Sequence, residues 1–144
     1  VSLTSNPWFR YAPAKGEERS EAEYRELFAA DAVRDLISYA VGCMFGRYSL
    51  DEPGLILASQ GETIQDYVAR VPEPTFAPDD DNVIPVTQDD WFEDDIVARF
   101  RTFLKASFGE ANLEENVRCI EDYAKLHSIV PLTRCFSCLC QGFA

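Results

Sequence analysis

Apolar residues step by three and four along the stretch from Ser20 to Phe45, at Tyr24, Leu27, Phe28, Ala32, Leu36, Ile37, Ala40, Val41, Met44 and Phe45. That period predicts one long helix of about 25 residues. Ser20 with Glu23 three residues on has the form of a capping box, and Gly46 supplies a stop. Gly42 inside this helix costs about 1 kcal/mol against alanine. The close approach of another backbone is the expected compensation. "SLDEPG" (49–54) reads as a turn, and "LILAS" (55–59) as a short strand or buried extended piece. Thr63 is placed to cap a short helix running to about Arg70, with Ile64, Tyr67 and Val68 facing inward.

The pattern then changes. "VPEPTFAPDDDNVIPV" (71–86) carries four prolines, which forbid a helix. It reads as a wrapping loop with Val83, Ile84 and Val86 as a brief strand. Asp90 and Glu93 form a second capping box, predicting a helix from about Trp91 to Phe108. Its stripe is Ile96, Val97, Phe100, Phe103, Leu104 and Phe108, and Gly109 ends it. Asn112 and Glu115 cap a further helix to about Leu126, with Leu113, Val117, Ile120 and Ala124 on one face. The expected fold is mainly α. It is a single helical domain of three major helices and one short helix, with at most a small two-stranded β patch. Residues 1–19 read as an extended arm, with Trp8, Phe9 and Tyr11 docking on the body. Residues 20–126 form the helical domain, and 127–144 a cysteine-rich tail.

Composition narrows the partners. The chain has 144 residues, 47% hydrophobic and 26% charged, ordinary values for a soluble globular domain of a size that buries its own core. No apolar run reaches the roughly 20 residues of a bilayer helix. The N-terminus lacks a basic region followed by an apolar one, so no signal peptide is expected and the cytoplasm is the expected compartment. The net charge is -12 and the 13 Lys and Arg contain no run of three. Direct nucleic-acid binding by this chain alone is therefore not expected, because phosphate neutralisation supplies most non-specific affinity.

Candidate chemistry is sparse. "SNPWF" (5–9) approaches the N-P-P-Y/F motif of adenine methyltransferases, which holds a flipped base. Here Trp8 replaces the second proline, and no glycine-rich cofactor loop follows a strand. Asn6 therefore reads as part of a proline turn. "DDDN" (79–82) begins like a calcium loop but puts Val83 and Ile84 where a ligand and glycine belong. Cys135, Cys138 and Cys140, with Cys119 and His127 upstream, are the candidate metal ligands. A second C-x-x-C, which a strong zinc signal requires, is missing, so neither a metal nor another cofactor is expected. His127 is the single histidine, and no nucleophile–base pair is visible.

"LISYAVGCMFGRYSLDEPGLILASQGETIQDYVARVP" (36–72) and "FAPDDDNVIPVTQDDWFEDDIVARFRTFLKASFGEANLEENVRCIED" (76–122) resemble a segment of the PglX family. These are adenine-specific DNA methyltransferases of BREX phage-defence systems, similar to type IIG restriction–modification methylases. "LTSNPWFRY" (3–11) extends the likeness, which covers about residues 3–124. The resemblance implies a connector between the catalytic and target-recognition regions. The family's cofactor loop and N-P-P-Y motif lie upstream of that segment, so no catalytic or cofactor-binding residue carries over. Gly46-Arg47-Tyr48 and Trp91-Phe92 look like the segment's own structural signature. After about Lys125 the likeness stops, as in a gene fragment carried by a mobile element. The expected function is a non-catalytic module acting through protein contacts. The alternative is a subunit working in trans with an adenine-specific DNA methyltransferase. A third reading, a small stand-alone metal-binding protein, rests on the cysteine tail alone. Faces cut from a larger enzyme also predict a homodimer, through the long helix or the tail, with a methyltransferase as a further possible partner.

Overall fold

The computed structural model describes residue 11, residues 15–86 and residues 95–126, with side chains described through residue 123. These residues contain four α-helices, α1 (Glu21–Met44), α2 (Ile64–Arg70), α3 (Ile96–Phe108) and α4 (Leu113–Leu126), with a 3-10 turn at Glu110–Asn112 leading into α4. Among the described residues there is no strand, so the fold is mainly helical.

The long helix starts as its sequence dictates. The Ser20 hydroxyl accepts from Glu23 N–H at 3.3 Å, while the Glu23 carboxylate accepts from Ser20 N–H at 2.7 Å. Both ends of the capping box are made. Burial begins only at Ala30 and continues through Ile37, Ala40, Val41, Cys43 and Met44. Phe28 does not belong to this face and is 53% exposed. At about 100° per residue it lies roughly 180° around the helix from Ile37. The buried stripe is thus narrower than the apolar spacing predicts. At the far end Gly46 adopts φ +70°, a region glycine enters without penalty. Its amide donates to Cys43 O at 3.1 Å.

The core is where α1, α3 and α4 pack on one another. Ile37, Met44, Phe100, Phe103, Leu104 and Ile120 fill it. Phe100 and Phe103 stack with centroids 6.2 Å apart, and Phe76 meets Phe103 edge-on at 5.6 Å. The α3 stripe is as expected except for Phe108, which is 49% exposed. The helix begins later than expected, at Ile96. Asp95 is its N-cap, in extended conformation, with its carboxylate accepting from Ala98 N–H at 2.7 Å. Asp90, Trp91 and Glu93 lie outside the described residues. Asn112 is not a simple N-cap either. It sits in the 3-10 turn and its side-chain amide donates back to Phe108 O at 3.1 Å.

The proline-rich segment wraps as a loop, and Val83–Val86 is not a strand. Val83 and Val86 are exposed, while Ile84 alone packs on the core. Buried Phe76 plugs the loop onto α3 beneath the Arg99 guanidinium, 5.1 Å from the ring centre, and Arg99 donates to Ala77 O at 2.9 Å. Asp79 N–H donates to Met44 O at 2.7 Å, which ties the loop to the end of α1.

A second, smaller apolar cluster joins Ile56, Tyr67 and Val71, with Leu57 against it. The "LILAS" segment is neither a strand nor a buried extended piece: Ile56 is buried and Leu57 half-buried, while Leu55 is 51% exposed and Ala58 and Ser59 are exposed. Its amides at Ile56 and Leu57 donate to Arg47 O and Gly46 O at 2.9 and 3.2 Å. On α2, Tyr67 is fully buried, Ile64 half-buried and Val68 48% exposed. Val71, four residues after Tyr67, takes the inward position expected of Val68.

Candidate functional site

The densest polar arrangement lies where α1 ends and the chain turns through Gly46-Arg47-Tyr48-Ser49. Gly42 O accepts from both Arg47 N–H, at 2.8 Å, and Tyr48 N–H, at 3.3 Å. These two hydrogen bonds to one carbonyl fold the turn back along the helix. The Tyr48 ring then lies over Gly42, where a Cβ would come within 2.3 Å of ring carbon Cδ2. Gly42 is thus explained by the close approach of a side chain, in place of the backbone approach expected. Tyr48 also packs against Tyr39, centroids 5.3 Å apart.

Beneath this turn the Tyr39 hydroxyl donates to Ser49 O at 2.7 Å. Ser49 is buried, and its hydroxyl accepts from Asp51 N–H at 3.1 Å. The Asp51 carboxylate reaches across to the proline-rich loop. It accepts from Thr75 N–H at 2.8 Å and from the Thr75 hydroxyl. Those Thr75 bonds hold the Asp51 carboxyl below the usual carboxylate range, with help from Ser49 and against a small opposing effect of burial. A parallel tie closes the next loop. Glu62 accepts from Ala58 N–H and Ser59 N–H, each at 2.7 Å, and pairs with Arg70, which also donates to Ile56 O.

Two ionisable groups under the turn are a thiol, on buried Cys43, and a phenol, on half-buried Tyr39. Burial pushes the Cys43 thiol up to about 11, opposed by its bond with Tyr39. Burial first, and then the neighbouring Cys43, push the Tyr39 phenol up to about 12. Both remain protonated at neutral pH, so neither is a thiolate nucleophile or phenolate base there. The Asp51 and Glu62 carboxylates accept from backbone amides and from the Thr75 hydroxyl and Arg70 guanidinium. What the arrangement does is fix the path of residues 46–75 across the end of α1.

Asp79 and Asp81, the start of the rejected calcium loop, both accept from Val83 N–H, at 3.1 and 2.9 Å. They shape a turn through Asn82, whose φ is +58°. Cys119 is exposed on α4. The other candidate ligands, Cys135, Cys138, Cys140 and His127, lie outside the described residues, as do Asn6, Trp8, Phe9 and Trp91-Phe92. Among the described residues, no group of three or more His, Cys, Asp or Glu is arranged to hold a metal ion. Tyr11 does reach the body: its hydroxyl donates to Asp31 on α1. The Ser49–Asp51–Thr75 tie was missed in the sequence. Its one local signal is the S-x-D spacing, which favours a side-chain-to-backbone turn. The partner at Thr75 is 24 positions away and leaves no such trace.

No family model matches the chain. Two curated proteins do. The "Adenine-specific methyltransferase BrxX" of Escherichia coli O9:H4 (strain HS) is 36% identical over 132 residues, which is 91% of this chain and 11% of that protein. This stretch is longer than the 3–124 read from the sequence. The "Adenine-specific methyltransferase PglX" of Lacticaseibacillus casei (strain Zhang) is 39% identical over 108 residues, 74% of this chain and 8% of that protein. The chain is therefore a partial homologue of the BrxX and PglX adenine-specific methyltransferases, spanning 8–11% of their length.

Proposed function

We propose that the chain is a non-catalytic helical module of a phage-defence DNA adenine methyltransferase, acting through protein contacts. The observation that carries this reading is the form of the homology. The alignments cover 91% and 74% of the chain, yet only 11% and 8% of the respective methyltransferases. The module's conspicuous polar groups fit the same reading, because Tyr39, Ser49, Asp51 and Thr75 are committed to one another. In this account residues 20–126 are the folding unit, residues 1–19 an arm and 127–144 a tail, and the protein works in the cytoplasm. Among the described residues no helix is long and apolar enough to cross a membrane.

The trans-subunit reading is a refinement of the same idea: the remaining nine-tenths of a methyltransferase is supplied by another chain. Self-association as a homodimer, through the outer face of α1 or the tail, competes with that contact. Exposed Phe28 is the apolar residue of α1 that favours it. Light scattering at tens of micromolar protein is expected to give twice the chain's 16.3 kDa. A monomer mass removes the dimer.

The direct test of the non-catalytic reading is the isolated chain with S-adenosylmethionine and adenine-containing duplex DNA. Calorimetry is expected to show no cofactor binding, and a methyl-transfer assay no product. With a charge of -12, a gel shift is expected to show no complex at sub-micromolar protein and physiological salt. Micromolar cofactor binding or any methylated adenine overturns the reading.

A further inference from the structure

We draw no further inference here: the strongest candidate, the outer face of the first half of α1 around Phe28, belongs to the contact surface already proposed, and nothing in the structure shows which occupant covers it.

Discussion

Gly42→Ala isolates the contact that shapes the turn after α1. Within a helix, alanine is worth about 1 kcal/mol more than glycine. Taken alone, the substitution would stabilise the protein. The new Cβ, however, would sit 2.3 and 2.6 Å from two Tyr48 ring carbons, far inside contact distance. The ring must swing away, and overpacking of this kind costs about 1–3 kcal/mol. It also gives up part of the Tyr39–Tyr48 pair, where aromatic contacts are worth about 0.5–1.5 kcal/mol. The steric cost exceeds the propensity gain. The variant should be less stable by about 1–2 kcal/mol, a drop in Tm of roughly 3–10 °C for a domain of this size. Urea unfolding followed by circular dichroism measures it. Tyr48→Ala supplies the control, since it removes the ring. In that background Gly42→Ala should reverse sign and stabilise by about 1 kcal/mol. A Gly42→Ala protein that melts higher than wild type, or the same sign in both backgrounds, refutes the reasoning.

Asp95→Ala removes the carboxylate that caps α3 and should cost about 1 kcal/mol, read as a lower urea midpoint with unchanged slope. Phe103→Ala opens the centre of the core and should cost about 3–5 kcal/mol, enough to leave little cooperative melting transition. The lowered carboxyl pKa of Asp51 stabilises the fold at pH values above the ordinary carboxylate range, and that stability is lost as pH falls through the folded value. Asp51→Asn should accordingly lower stability at pH 7 and flatten the acid limb of a stability–pH curve, and an unchanged limb would contradict the tie to Thr75. The raised Tyr39 and Cys43 values act at the other end. Their contribution is complete below the unfolded-state values and disappears as pH rises through about 11 to 12, so Cys43→Ala should shift the alkaline unfolding limb. In the native protein at pH 7, Cys43 should resist a thiol reagent that labels Cys119, and urea should abolish the difference, as peptide mass spectrometry can show.

Much of the helical framework was legible because it rests on local chemistry. Ser20 and Glu23, Gly46 and Gly109 act within a few residues of themselves, and the spacing of Phe100, Phe103 and Leu104 is a property of one helix. The errors share a cause. Phe28 lies two residues before Ala30, where burial begins, and Val68 directly after buried Tyr67, and only the arrangement of neighbouring elements decides which of them is covered. Val83–Val86 has the composition of a strand, but its Pro85 carbonyl accepts from Ile96 N–H at 2.9 Å, a loop-to-helix contact that composition does not encode. The early start expected for α3 failed because Asp95, five residues after Asp90, holds the extended conformation of the cap. The polar joint was the least legible part. Its bonds link Tyr39 to Ser49 and Asp51 to Thr75, pairings set by tertiary packing. Family resemblance carried the functional reading further than any residue pattern did, since no constellation in the chain spells a reaction.

The proposal that this chain acts through protein contacts, and its trans-subunit form in particular, is tested most directly on a methyltransferase that lacks the homologous segment. The measurement is co-purification followed by calorimetric titration of the chain against an adenine-specific methyltransferase of the PglX type with the homologous segment deleted. The trans-subunit form predicts a one-to-one complex with a dissociation constant in the micromolar range or tighter, weakened by a charge introduced at exposed Phe28 (Phe28→Asp) if α1 supplies the contact. Absence of any complex at tens of micromolar of both components, with each shown to be folded, would contradict it.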